Sequence, residues 1–250
     1  MEELVKWSPA WKDLRLASLR AVWENCGACD LCQTRQHVVF GEGNPDADIV
    51  FIGEGPGEEE DKSGRPFWGA SGSALDVLFA QTGIPRESVY ITNLIGCHPP
   101  DNRVPQKVER EACWGRLQEI LYLVDPLVVV PVGADALKAL GGRDCGIIEN
   151  HGAVFSSPSP QFRIPGDPNG LEIQGRLFPR KGDDKKEYTL DYDMIPIVHP
   201  SYILRTDGWD KKHPAFPSDG WMVKTLRDLR KIKAYVASTK EHYSQAENAR

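Results

Sequence analysis

Four cysteines in this chain are spaced like ligands. Cys26 and Cys29 form a C-x2-C pair, and Cys97 and Cys113 follow with fifteen residues between them. Cysteine is scarce, six in 250 residues, so a spaced quartet reads as a metal site ahead of a set of ordinary buried thiols. Zinc and iron-sulfur centres both take four thiolates, and both stay open on this pattern. A zinc ribbon usually carries a second tight pair. The second interval here is wide, which tilts the reading toward a cluster held between distant segments. Cys32, three residues after Cys29, is a competing donor, and Cys145 looks unpaired.

A second group of residues suits chemistry on a polar ligand. The loop GEGPGEEEDKSGRPFWGASG, 53–72, offers two carboxylates, Glu54 and Glu60, and an aromatic platform at Phe67. It lacks G-x-G-x-x-G spacing, and its EEED run would repel phosphate, so a nucleotide-phosphate cradle fails on both counts. The bland reading is a tight turn with a solvated acidic run and a core Phe. Asn93 closes one apolar segment, and His199 opens HPS at the end of another. An Asn at a strand end offers a donor and an acceptor side by side, as reading one edge of a nucleobase requires. A His there can donate to a developing anion. Taken singly, each is more often a capping or packing group; their convergence on one rim gives them weight.

Strands and helices must bring these groups together. Ser8 as N-cap and Pro9 in the first turn start a helix that delivers the first cysteines. The apolar run ADIVFIG, 47–53, reads as a buried strand, 72–83 as a helix ending at glycine, and 88–96 as the next strand. A long amphipathic helix over 104–124 carries Cys113; PLVVVPVG then forms a third strand, GADALKALGG its helix, and MIPIVHPSYILR a fourth strand and turn. Alternation of this kind predicts a three-layer α/β/α fold around a central four-stranded parallel sheet. Residues 145–193, rich in Gly, Pro, Asp and Lys, break the rhythm and read as an insertion before the last strand, with a hairpin within it. The 218–250 tail is expected to be helical to about residue 237 and then to fray.

At 250 residues and 40% hydrophobic content, one domain over 1–250 can bury a full core. A net charge of -6 excludes a protein coated in positive field, so a nucleic-acid partner must be held by a local patch. The basic stretch KTLRDLRKIK, 224–233, reads as a solvated helix face. The N-terminal residues lack the form of a secretory signal, and no apolar run reaches membrane length. The expectation is a cytoplasmic protein away from membranes, where spaced cysteines are more often ligands than disulfides.

Those motifs in order, GEGPGEEEDKSGRPFWGASG, TNLIGCHPPDNRVP, EAC, VGADALKAL and HPSYILR, resemble the family 4, or iron-sulfur, uracil-DNA glycosylases. The resemblance runs from about Cys26 to Leu140 and resumes over Ile195 to Arg205. It implies a structural [4Fe-4S] cluster on Cys26, Cys29, Cys97 and Cys113 that pins loops near the DNA-binding face. It also implies an enzyme that flips uracil out of DNA and hydrolyses its bond to deoxyribose, leaving an abasic site; since catalysis needs only one set of motifs, a monomer is expected. On that reading Phe67 stacks on the base, Asn93 reads N3-H and O4, and Gly55 lies in the substrate pocket. Glu60 or its neighbours form the wall that rejects thymine. His199 stabilises the departing anion through O2, and Glu54 positions water or supports the sugar cation. Ser201, Tyr202, Ile203, Leu204 and Arg205 form the DNA wedge and backbone contact, with an apolar side chain in the minor groove and Arg205 on phosphate. Trp68 stands where the family pattern has a small aliphatic residue, which suggests a different pocket shape. That departure and the insertion motivate an alternative, a glycosylase of the same fold acting on another modified base, as in phage DNA. A non-catalytic iron-sulfur DNA-binding module is the third reading.

Overall fold

A computed structural model describes residues 8–141, 146–156, 163–164, 171–173, 176–178, 188–189, 192–207 and 218–248. Helix α1, Pro9–Trp23, begins where Ser8 Oγ accepts from the Trp11 amide at 3.3 Å, the N-cap its sequence announced. Two residues, Glu42–Gly43, form β1, and Ile49–Gly53 form β2. The acidic run becomes a short helix, α2, Glu58–Ser63. Its four carboxylates stand in the first turn, where the helix dipole favours negative charge. Helix α3, Ala70–Thr82, stops at Gly83 in the left-handed conformation. Strand β3, Tyr90–Asn93, helix α4, Lys107–Val124, strand β4, Val128–Pro131, and helix α5, Ala134–Gly141, follow.

After the one-turn helix α6, Ile147–Asn150, β5 covers Phe155–Ser156. Most of the 145–193 insertion lies outside the described residues, Cys145 included. Its described pieces form two ladders, one nested in the other along the chain. In the outer ladder β6, Arg163–Ile164, pairs antiparallel with β9, Tyr188–Thr189. In the inner one β7, Leu171–Ile173, pairs with β8, Arg176–Phe178, as the expected hairpin. Strand β10, Asp193–Met194, closes the sheet; α7, Pro200–Thr206, and α8, Trp221–Asn248, complete the chain. The expected turn at 201–205 is therefore a helix, and α8 runs on to Asn248 where fraying was predicted.

The sheet order is β1-β3-β2-β4-β10-β5. The four central strands are parallel, as the alternation of elements required, and β1 and β5 add short antiparallel edges. Both faces are covered, so β2 and β4 are buried throughout. Side chains still alternate. Val50, Ile52 and Val129 pack with Leu16, Leu19, Leu117 and Leu121 of α1 and α4. Ile49, Phe51, Val128 and Val130 pack with Leu75, Leu78, Ile203 and Leu229 of α3, α7 and α8. The carboxyl ends of these strands carry Gly53, Asn93 and, just past the bridge of Ile197 to Val132, His199. Ligands bind at such ends in open parallel sheets. Among the described residues no helix is long and apolar enough to cross a membrane.

Candidate active site

A cleft of about 430 Å³ opens at the carboxyl ends of the strands. It is lined by Glu54, Gly55, Glu60, Phe67, Asn93, His199, Ser201 and Arg205, all sequence-predicted site residues. Ser71, Asn102, Arg103 and Pro105 line it as well and were not foreseen.

Asn93 ends β3 directly opposite Gly53 of β2. Its residue surface is 2% exposed, yet among the described residues no protein group hydrogen-bonds to its side-chain amide. Its side chain lines the cleft, so the amide is free to meet a ligand there. Gly53 makes the space. A Cβ there would meet Phe67 Cζ at 2.8 Å and Asn93 Oδ1 closer still. A strand-ending glycine was visible in the sequence, but which side chains converge on it was not.

Phe67 has φ +48°, a conformation uncommon for a bulky side chain. Three contacts hold it there. Arg86 Nη2 donates to the carbonyls of Pro66 at 2.7 Å and Phe67 at 3.4 Å. Glu60 Oε1 accepts from the amides of Trp68 and Gly69, both at 2.9 Å, while Oε2 accepts from Gly57 at 3.0 Å. Gly72 leaves room for the Phe67 carbonyl, which any Cβ would strike. Glu60 thus lines the cleft with both oxygens committed to the loop, and it braces Phe67 instead of facing a ligand with a free oxygen. The acidic run divides accordingly. Glu58 and Glu59 are exposed and pair with Lys62, whereas Asp61 is buried and accepts from the amides of Gln36 and His37 at 3.0 and 3.3 Å.

His199 caps α7. The Ser201 amide, which can only donate, points at Nδ1 from 3.1 Å, and Ser201 Oγ lies 2.7 Å from the same nitrogen. Nδ1 is therefore an acceptor, and the neutral ring carries its proton on Nε2. Burial, with the charge of Arg205 adding to it against that of Glu60, pushes the ring down to about 4. The imidazole is neutral at pH 7 and its ring centroid lies 5.8 Å from that of Phe67. Glu54 Oε1 is buried without a hydrogen-bond partner. Burial, then the charge of Asp135, pushes its carboxyl up to about 7, with Arg110 opposing.

The wedge residues separate by exposure. Ile203 is fully buried among α3 and α8 side chains and cannot leave the core to enter DNA. Tyr202 packs edge-on against Trp221 with ring centroids 5.6 Å apart. Leu204 is partly exposed and Arg205 exposed. Trp68 is not part of the cleft wall; the residue lies outside, 50% exposed, so the expected change of pocket shape is corrected.

Beside this cleft the four cysteines come together. Cys97 and Cys113 are buried and share a small core with Leu31 and Ile95, against which Cys29 packs. Burial, then the neighbouring charge of Cys113, pushes the Cys97 thiol up to about 11. Cys29 is raised chiefly by burial, with Cys113 and Cys26 adding to it. Cys32 is among neither residue's influences. Thiols that oppose one another's ionisation need a cation among them to become thiolates. Two hydrogen-bond donors already face the sulfurs: Arg35 Nη1 toward Cys97 at 3.5 Å and the Gly96 amide toward Cys113 at 3.4 Å. Among the described residues no three His, Cys, Asp or Glu groups could hold a single metal ion.

Arg116, one turn beyond Cys113 on α4, ties the two centres together. It is fully buried. Nη2 donates to the Asn93 carbonyl at 2.5 Å, and Nη1 donates to the Phe40 carbonyl at 2.7 Å and to Thr92 Oγ1 at 3.1 Å. Sequence reasoning missed it, because Glu109, Gln118 and Glu119 are buried on the same helix and no spacing sets Arg116 apart.

Residues 40–230 match the model of the Uracil DNA glycosylase superfamily. The chain is similar to a type-4 uracil-DNA glycosylase of Thermotoga maritima, 39% identical over 85% of this chain and 90% of the relative. It is similar also to those of Sulfurisphaera tokodaii, 43% identical over 72% and 71%, and Archaeoglobus fulgidus, 46% identical over 46% and 57%.

Proposed function

The chain belongs to the uracil DNA glycosylase superfamily, and from that membership we propose that it is an enzyme of DNA repair that excises uracil. The observation that carries the reading is the Asn93 amide, unspent by the protein and set with the Phe67 ring about Gly53 at the cleft. Phe67 stacks on the flipped base. Asn93 Oδ1 accepts from uracil N3-H and Nδ2 donates to O4. Cytosine reverses both polarities, and each mismatched buried group costs about 1–3 kcal/mol.

Water attacks C1′ of the deoxyribose as the bond from C1′ to N1 breaks, and the electron pair leaves on the base. The neutral His199 donates its Nε2 proton as a hydrogen bond to O2, where the negative charge collects. Glu54 in its charged form opposes the positive charge on the sugar and takes up a proton from the attacking water. A carboxyl pushed to about 7 is matched to that task near neutrality. The products are uracil and an abasic site.

Cys26, Cys29, Cys97 and Cys113 would hold the [4Fe-4S] cluster, whose chemistry here is structural: it cross-links the segment after α1 to α4 and to the loop that follows Asn93. The protein acts as a monomer of one domain, in the cytoplasm, on uracil-containing DNA. Arg205 stands to meet phosphate and Leu204 to enter the groove. The experiment is release of base from a uracil-containing oligonucleotide by the cluster-loaded full chain, with Asn93→Ala and His199→Ala as controls. Free uracil, lost in both variants, is expected. Binding without release would sink the reading, and release of another base would transfer it to the modified-base alternative.

A further inference from the structure

Trp68 is a large apolar side chain held still in water at the rim of the cleft. The residue is 50% exposed. The guanidinium of Arg65 lies 4.1 Å from the ring centroid, and Arg65 is itself fixed by Glu42, with Nε to Oε2 at 2.8 Å and Nη2 to Oε1 at 3.0 Å. The Trp68 amide is tied to Glu60, and the Pro66 carbonyl to Arg86. Arg65 needs no ring for its hydrogen bonds, so the exposed indole is surplus to the needs of the fold. Its position is also specific: Phe67 on one side and Ser71 on the other both line the cleft.

We propose that Trp68 is a stacking platform for the nucleobase adjacent to the flipped nucleotide, a second base subsite outside the pocket. A nucleotide seated on Phe67 puts its chain neighbours at this rim. Glu58 and Glu59 are exposed nearby, and the whole chain carries a charge of -6. Arg65 is already engaged by Glu42 and Lys62 by Glu58 and Glu59, so what the rim leaves for DNA is the indole, which takes a base. Stacking on a pre-fixed aromatic needs little further ordering on binding. The contact favours single-stranded DNA, because in a duplex the neighbouring base is already stacked on its own strand.

The inference rests on the uracil reading, and the test separates the two. Affinities are measured for single-stranded oligonucleotides carrying one 2′-fluoro-deoxyuridine, whose electron-poor sugar resists cleavage. The base 5′ or 3′ to it is either present or replaced by an abasic spacer. Removing the base on one of the two sides is expected to weaken binding to the wild type about 5- to 100-fold. Trp68→Val should bind the intact oligonucleotide that much more weakly and be indifferent to the spacer, while Trp68→Phe keeps part of the effect. The ratio should hold between low and moderate salt, since no phosphate contact is involved. Trp68→Val binding like the wild type, or losing affinity equally with and without the neighbouring base, would overturn the proposal. Ordinary deoxyuridine oligonucleotides are scored in parallel for released uracil. Failure there with a Trp68-dependent base effect intact would count against the proposed function alone.

Discussion

Gly53→Ala adds one methyl group to the point where three functional features meet. The new carbon would stand 2.8 Å from Phe67 Cζ and closer to Asn93 Oδ1, whereas carbon atoms in contact prefer about 3.5–4.0 Å. The ring must retreat by about 1 Å and the amide by at least as much. Neither has an easy route: Phe67 is held at a positive φ by Arg86 and Glu60, and the Asn93 backbone is anchored by Arg116. A displacement of about 1 Å in a positioning group costs on the order of 100-fold in rate. Overpacking of a core site costs about 1–3 kcal/mol, which in a chain of this size lowers Tm by roughly 2–12 °C. Single-turnover cleavage of a uracil oligonucleotide, with Tm and the visible spectrum followed alongside, is the assay. Expected is a loss of about 100-fold with the cluster spectrum retained. A variant that cleaves within threefold of wild type would show that Asn93 and Phe67 do not clasp the base across Gly53.

Further tests address the remaining groups. Glu54→Gln should lose most activity and abolish a rise in kcat/KM through about pH 7. The stability sign is also fixed: a carboxyl raised to about 7 by burial binds its proton more tightly in the folded state. Wild-type stability from this group therefore falls as pH rises from its unfolded value toward 7, and Glu54→Gln should gain Tm on wild type at pH 8 relative to pH 5. Arg116→Met leaves the Asn93 and Phe40 carbonyls without their donor; thermal denaturation should show a loss of at least 1–3 kcal/mol, and kinetics a reduced preference for uracil over cytosine. Cys113→Ala should lose the brown colour on purification and melt earlier, whereas Cys32→Ala should keep both.

Much of the fold was legible because burial writes itself into pattern. The run IVFIG and the run VVVP are continuous because both faces of each strand are covered, and the helices between them show their caps and glycine stops. Site residues were legible because ligand groups collect at strand ends, which the same pattern locates. The turn expected over 201–205 is a helix, capped by His199 with Pro200 in its first turn. Only packing decides that Ile203 faces α3 and α8 while Arg205 faces water. Glu60 lines the cleft, but what its carboxylate does there was not legible until the amides of Gly57, Trp68 and Gly69 were seen to use it.

By itself the amino-acid sequence determined the parallel sheet, the loops at its carboxyl edge and the spacing of the cysteines, since periodicity and spacing are properties of the chain. Tertiary structure decided what those residues are free to do. Backbone amides placed by the folded loops consume Glu60 and Asp61 while Asn93 is left unspent, and the Ser201 amide sets which His199 nitrogen carries a proton. Convergence of Cys29 with Cys97 and Cys113 likewise came from packing around Leu31 and Ile95. Availability of a group depends on what surrounds it in space, and no spacing rule along a chain encodes that.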